Sequence, residues 1–426
     1  MTTQSSLAAL TALSSALPAE RARDVTAYVL DGVTPGCALR PESIDEVVRV
    51  LGTADAAGIA VTPLGARTAS RLGRPLEAYD LALDMTALDR VIAYEPADLT
   101  ITVQAGMSLA QLQAVLREHG QYLPADAPPD DRVTIGGLLA SARPGAWRGH
   151  VPAARDLVLG ITVVGPSGVV THSGGRVVKN VSGYDLHRMH TGALGALGVI
   201  IEASFKLAPK PAQARSFAIA CATLEQASEL AFRLWDQSLP LRALSLLSAG
   251  ASSLAGLPAT PHALIECVGG DAVLARCTES VHREAVLTRA TAAAPAPDEA
   301  WATLRTRAGD LDGLDGLDGV VLRLGVPSSR VAAAIEEAER VGCTAWGHLA
   351  AGSVVAHASS LDATTVASLR AYTEAAGGFL QIDSAPASLR LALDPFGASE
   401  TALVRALKHE FDPRGTLSRG RWLEGV

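Results

Sequence analysis

SGGRVVKNVSGYDLHRMHTGALGALGVIIE, residues Ser173–Glu202, is the stretch on which the reading of the whole chain turns. It carries six glycines, few charges and an apolar ending that reads as a buried strand. Glycine loses more conformational freedom on folding than any other residue. A run this dense therefore marks backbone that turns sharply or that something approaches closely. Gly192, Gly195 and Gly198 recur at every third position. Two readings stand: a smooth wall against a large flat ligand, or a set of tight turns inside an α/β core.

Composition narrows what surrounds it. A chain of 426 residues has room for two or three domains with real cores. A net charge of −8 argues against a nucleic-acid partner. A polyanionic ligand would then be held by local backbone dipoles and a few Arg or Lys. The five cysteines (Cys37, Cys221, Cys267, Cys277, Cys343) are odd in number and lack CxxC spacing. That argues against zinc, iron–sulfur and disulfide frameworks and suits a reducing compartment. The N-terminus lacks a basic lead and reads as a short amphipathic helix or a frayed lead-in. No run of 18 apolar residues is present, so no membrane span is expected. Asn180-Val181-Ser182 has the form of a glycosylation acceptor but is discarded without secretion.

Upstream of the glycine stretch, Ser43 and Glu46 have capping-box spacing, and Ile44, Val47, Val48 and Leu51 share one helical face that ends at Gly58. Ala60–Leu64 reads as a strand running into Gly65-Ala66-Arg67-Thr68-Ala69-Ser70. Such a loop lets successive N–H groups point into one concavity that binds phosphate oxygens, with hydroxyls from Thr68 and Ser70 and charge from Arg67. Many βα turns look the same, so an ordinary turn remains open. Val91–Tyr94 and Leu99–Gln104 read as a hairpin. Ser108 and Gln111 cap the next helix. Thr134-Ile135-Gly136-Gly137-Leu138-Leu139-Ala140-Ser141 reads as a glycine-led helix start whose free N–H groups attract anions.

Past Pro209-Lys210-Pro211 the texture changes to strands and helices that suggest an antiparallel sheet with helices on one side. Thr291–Pro297 reads as a low-complexity linker. Leu311–Gly319, LDGLDGLDG, repeats a three-residue unit and reads as a solvated loop, since the EF-hand pattern is absent.

Several motifs then fall in order: Pro63–Arg74 with its LGRP at Leu72–Pro75, Thr134–Gly137, Arg155–Gly160, Val178–Leu186 (VKNVSGYDL), Gly195–Ile200 and Leu407–Pro413. Together they resemble the FAD-binding superfamily of vanillyl-alcohol oxidase and p-cresol methylhydroxylase. Within it they look most like the FAD-binding E-type subunits of bacterial glycolate oxidases. The match is strong over Arg40–Pro211, moderate in the C-terminal helix, and only one of rhythm in the middle.

The resemblance implies an α+β fold. Residues 1–24 would be a lead-in, and 25–211 a PCMH-type FAD-binding domain of two α+β subdomains. Residues 212–395 would form an α+β cap with an antiparallel sheet, and 396–426 a C-terminal helix and tail packed on the FAD domain. It implies FAD contacts at Pro63, Gly65, Ala66, Arg67 and Thr68 around the pyrophosphate, at Thr134, Gly136, Gly137 and Ser141 across from it, at Asp156, and along a Gly192–Ile200 strand through Gly192, Gly195, Gly198 and Ile200. Relatives with covalent flavin use His or Cys in these loops. This chain has Ala66 and Arg67, so its FAD is expected to be noncovalent. Gly192-Ala193 stands where a Gly-Ser pair is common, and Ser418-Arg419-Gly420-Arg421 where NPGR is common.

The implied chemistry is oxidation of a 2-hydroxy acid, glycolate to glyoxylate, by hydride transfer to flavin. The implied partners are a D-type flavin subunit and an iron–sulfur subunit. The implied location is cytoplasmic, with attachment to the inner face of the membrane through partners as an alternative. No metal site is expected. The histidines stand singly and no catalytic base is named; His348 is the cap-domain candidate, while His187 and His190 share the glycine stretch. Alternatives are a self-sufficient oxidase or dehydrogenase of another hydroxy acid or alcohol, a non-catalytic FAD-bearing scaffold, and a nucleotide-phosphate module without redox work.

Overall fold

The computed structural model describes residue 13 and residues 16–127, 131–176, 185–291, 293–308, 319–397 and 401–425. The VKNVSGYDL motif (mostly 177–184), all but Gly319 of the LDG repeat and most of the N-terminal lead-in lie outside the described residues.

Strand β1 (Cys37–Leu39), helix α1 (Ile44–Ala57), β2 (Val61–Leu64) and β3 (Leu81–Asp84) build the first layer. The strands pair in parallel in the order β1-β3-β2. Val47, Val50, Leu51 and Ala54 of α1 close over Leu39, Val61, Leu81 and Leu83, joined by Leu13 and Leu17. Ser43 accepts from Glu46 N at 3.2 Å, and Gly58 ends the helix at φ 70°, a conformation open to a residue without Cβ. The expected capping box is only half made. The Glu46 carboxylate accepts from Glu42 N at 2.7 Å and pairs with Arg21, which draws it away from Ser43 N.

The next segment follows the sequence closely. β4 (Val91–Glu95) and β5 (Thr100–Gln104) form the hairpin, and α2 (Leu109–Arg117) carries a full capping box. β6 (Gln121–Tyr122), α3 (Ile135–Ser141), α4 (Ala154–Leu157), β7 (Val158–Val164), β8 (Val170–Gly174), α5 (Leu186–His190), β9 (Val199–Lys206) and β10 (Ala208–Pro209) follow. Five strands make an antiparallel sheet in the order β4-β5-β9-β7-β8. The strand expected over Gly192–Ile200 begins only at Val199. Residues 191–198 are a series of turns in which Gly192 (φ 87°), Leu194 (φ 51°) and Gly195 (φ 71°) are left-handed. Each of these glycines is thus explained by the turn itself.

The second half contains β11 (Gln213–Ala220), α6 (Leu224–Trp235), β12 (Leu241–Leu247), α7 (Ala249–Leu254), β13 (His262–Gly269), α8 (Asp271–Leu287), β14 (Ala294–Pro295), α9 (Ala300–Ala308), β15 (Val320–Gly325), α10 (Val331–Arg340), β16 (Thr344–His348), β17 (Ser353–Ala358), α11 (Ala363–Ala375), β18 (Phe379–Ser384) and α12 (Ala387–Ala392). The strands form one eight-stranded antiparallel sheet, ordered β14-β11-β13-β12-β16-β17-β15-β18. The supposed linker at Thr291–Pro297 contains β14, which pairs Ala294 with Ala218 and Pro295 with Phe217.

Helices lie on both faces of this sheet rather than one. Leu230, Val281, Ile335 and Leu369 bring α6, α8, α10 and α11 onto the first face. Ala251, Trp301 and Leu304 bring α7 and α9 onto the second, where Ala146 of the first half joins them. Helix α13 (Thr401–Phe411) then returns the chain to the first half: Lys408 Nζ donates to Ala196 O at 3.0 Å.

Candidate functional site

Strand β2 delivers the chain into a cleft. One wall is the loop Pro63–Ser70 that follows β2. The second is the start of α3, with Thr134, Gly136, Gly137, Ala140 and Ser141. The third is the turn and strand start at Leu194, Gly195, Gly198, Val199 and Ile200, and Ser418 and Arg421 close one end. The cleft opens at Ala66, Arg67 and Ser70 into a larger space of ≈ 700 Å³ between this loop, Val29–Gly32 and Ala385–Ala387, lined also by Arg71 and Arg132.

Most residues expected at a cofactor site therefore come together: Pro63, Gly65, Ala66, Arg67, Thr68, Thr134, Gly136, Gly137, Ser141, Gly195, Gly198 and Ile200. Two do not line this cleft. Gly192 sits behind it, its N–H donated to Leu139 O at 2.9 Å. Asp156 lies on α4 among Arg148, Arg155 and Arg188, at 3.7–3.9 Å from each. The sequence did not single out Thr62 or Leu194, whereas Ser418 and Arg421 stand in the tail segment already marked as the place of NPGR.

The loop is built to receive acceptor oxygens. Arg67 is left-handed at φ 63°, so the chain turns sharply within the loop. Among the described residues, the N–H groups of Ala66, Arg67, Thr68 and Ala69 have no hydrogen-bond partner. The hydroxyls of Thr62 and Ser70 are buried and also unpartnered. A native fold rarely leaves buried hydroxyls unpaired, so Thr62 and Ser70, beside four part-exposed N–H groups open to a ligand, fit a polar occupant. The Arg67 guanidinium lies 5.1 Å from the centre of the Tyr28 ring. Tyr28 is itself fixed through a 2.6 Å hydrogen bond to Asp84, and burial pushes its hydroxyl up to about 12.

The α3 end behaves differently from expectation. Its N–H groups are not free: Ile135 N donates to Met107 O at 2.9 Å, Gly136 N to Ala105 O at 2.7 Å and Gly137 N to the Thr134 hydroxyl at 3.2 Å. This end supplies shape rather than anion binding. The glycines permit close approach, since a Cβ on Gly195 would sit 2.8 Å from Pro63 Cγ and one on Gly198 2.3 Å from Val163 Cγ1.

A second polar cluster lies where the halves meet. Arg143 Nη2 donates to Asp383 O at 2.7 Å, and Arg323 Nη1 to Pro144 O at 2.8 Å. Arg323 pairs with Asp383, and Arg305 with Asp126 at 2.6 Å. Trp147 is held between Arg242 and Arg305, whose guanidinium carbons lie 4.6 Å and 5.1 Å from its ring centre. His348 lies on the same small cavity of ≈ 40 Å³ and shares a 2.8 Å hydrogen bond with Ser245. Burial, with Arg323 and Arg305 nearby, lowers His348 to about 3. His190 and His187 are buried under the glycine turns away from both clusters, and burial alone lowers His190 to about 4. Among the described residues, no group of three His, Cys, Asp or Glu could hold a metal ion.

Comparison with known proteins agrees with this geometry. Residues 35–174 match the family described as FAD binding domain. The chain thus carries an FAD binding domain, with FAD as its cofactor, on a PCMH-type fold. A particular relative is the glycolate oxidase subunit GlcE of Escherichia coli (strain K12), 36% identical over 188 residues, which are 43% of this chain and 53% of that one. Another is D-2-hydroxyglutarate dehydrogenase of Xanthomonas citri pv. viticola, 34% identical over 171 residues, covering 40% of this chain and 36% of that protein. The matched stretch thus spans about half or less of these relatives. Among solved structures, p-cresol methylhydroxylase with substrate bound superposes with a TM-score of 0.77 over 99% of this chain and 98% of its own, at 14% identity. That likeness is one of fold.

Proposed function

We propose that the chain is the FAD-binding subunit of a complex that oxidises a 2-hydroxy acid such as glycolate. The carrying observation is the cleft at Pro63–Ser70, lined by residues whose N–H groups and whose two buried hydroxyls, of Thr62 and Ser70, lack partners. Ala66–Ala69 N–H, Thr68 and Ser70 would hold the phosphates, and Arg67 would balance their charge. Leu194, Val199 and Ile200 would give the flat parts of the cofactor an apolar wall. FAD, when bound, supplies a ring that accepts a hydride. The protein's own work is to orient the cofactor, keep water out and bind it without a covalent link, since neither His nor Cys is among the described residues that line the cleft.

The relatives' names support this reading. One is a glycolate oxidase subunit, and the other a D-2-hydroxyglutarate dehydrogenase. Electrons would leave to a D-type flavin subunit and an iron–sulfur subunit. No helix among the described residues is long and apolar enough to cross a membrane, so a cytoplasmic place, with any membrane contact made through partners, is part of the proposal. The division at about residue 211 into FAD domain and cap, with the tail from 396 returning, belongs to it too.

One observation favours a second form of the reading, in which this subunit passes electrons without meeting substrate. The arginines suited to a substrate carboxylate, Arg305 and Arg323, are already neutralised by Asp126 and Asp383. A histidine lowered to about 3 is a poor base at neutral pH. The test is anaerobic addition of glycolate to the purified chain, alone and co-expressed with candidate partners. Bleaching of flavin absorbance only with partners favours the electron-passing form, and bleaching of the isolated chain favours direct oxidation. A flavin that stays oxidised in both contradicts the proposed activity.

A further inference from the structure

Lys408 is 4% exposed, and its ammonium uses all its N–H groups inside the protein. It donates to Leu417 O at 2.6 Å and to Ala196 O at 3.0 Å, and it pairs with Asp412 at 2.7 Å. Asp412, equally buried, also accepts from Thr416 N at 2.8 Å and Leu417 N at 2.7 Å. Thr416 O accepts from Val61 N, and Ser418 N donates to Val61 O, each at 2.8 Å. The Ser418 hydroxyl donates to Leu194 O at 3.2 Å.

One short segment therefore grips both sides of the cleft. On one side it runs beside β2, which leads into Pro63–Ser70. On the other it holds the turns at 191–198 through Leu194 O and Ala196 O. Those turns are anchored on their far side by α3, where Gly192 N and Leu194 N donate to Leu139 O and Ala140 O. The spacing of the walls is critical, since Gly195 and Pro63 approach too closely for a Cβ.

We propose that Lys408 is a positioning residue for the cofactor: through Ala196 O and Leu417 O its ammonium sets the separation of the two cleft walls, so that the C-terminal segment works as a clasp. The inference rests on the reading of this cleft as the FAD site. Removing the ammonium leaves two buried carbonyls without a partner and the Asp412 charge without its cation, held only by the Thr416 and Leu417 N–H groups, and the clasp detaches to let them reach water. Apparent affinity then falls with the fraction of molecules whose walls are set.

The test uses the full chain stripped of FAD, with FAD titrated by flavin fluorescence and thermal unfolding followed without cofactor. Lys408→Met is expected to weaken FAD binding about tenfold or more if one molecule in ten keeps the walls set. Ser418→Ala is expected to weaken it less, and Lys408→Arg, which restores a cation with donors, to bind more tightly than Lys408→Met. Arg414→Ala serves as control, because Arg414 tethers the same segment to Asp55 from the surface. It is expected to bind FAD like wild type. Equal affinity in Lys408→Met and wild type overturns the inference and leaves the FAD site standing. Equal weakening in Arg414→Ala also overturns it, since general loosening would then suffice. If Lys408→Met does not fold, Ser418→Ala decides: weakened binding at an unchanged melting temperature supports the clasp, and unchanged binding overturns it. A wild-type chain that binds no FAD removes the site and the clasp together.

Discussion

Thr134 Oγ1 occupies the place a side chain on Gly65 would need: a Cβ built there lies only 2.2 Å from it. The loop after β2 and the start of α3 therefore touch, and glycine at 65 is required by contact between two parts of the chain. Thr134 cannot simply swing away, because its hydroxyl also accepts from Gly137 N.

Gly65→Ala should consequently push the two walls apart. We expect a stability loss of about 1–3 kcal/mol, the usual range for overpacking, together with weaker FAD binding. Gly65→Asp adds a carboxylate where the phosphates are proposed to lie and should abolish binding. Adding Thr134→Ala to Gly65→Ala should recover part of the affinity. FAD titration of the variants checks this, and wild-type affinity in Gly65→Asp would show that the loop lies elsewhere than on the phosphates.

The buried pair Arg323–Asp383 gives a second expectation. Arg323→Met strands a carboxylate that is fully buried, at a cost of about 3–5 kcal/mol. Replacing both, as Arg323→Met with Asp383→Leu, should recover much of that loss. Urea unfolding of the single and double variants measures it. A single variant within about 1 kcal/mol of wild type, the scale of an exposed pair, would mean the pair is solvated.

How much of this was legible depended on distance along the chain. The Ser108–Gln111 capping box could be read because its partners are three residues apart, and both of its hydrogen bonds are present. The loop Gly65–Ser70 could be read because a strand feeding small residues carries its own geometry. The N–H groups of Ile135 and Gly136 could not, because their acceptors, Met107 and Ala105, arrive from another segment. The arginine cluster was hidden for the same reason, since Arg305 meets Asp126 across 179 residues. Helix α9 escaped notice because it buries only Ala300, Trp301 and Leu304. The glycine stretch was half legible: its closing strand is there, but the turns before it set the glycines at 192 and 195.

His190 should make the fold acid-sensitive. Burial holds it at about 4, below its ordinary 6.5, with its ring edge-on to Phe411 at 6.1 Å. Between these values the unfolded chain binds a proton that the folded one refuses, so stability falls as pH falls through that window. The contribution amounts to about 2 kcal/mol between pH 7 and pH 5. His190→Leu should therefore lose less stability than wild type over that interval in urea unfolding. Parallel losses in the two proteins would contradict the assignment.

The most direct test of the central claim is the visible spectrum of the purified chain before and after acid precipitation. FAD held noncovalently in the cleft predicts a flavin spectrum, or one regained on adding FAD to a colourless preparation, with the flavin passing entirely into the supernatant on precipitation. A protein that stays colourless after FAD is added, or a flavin that remains with the pellet, would contradict it.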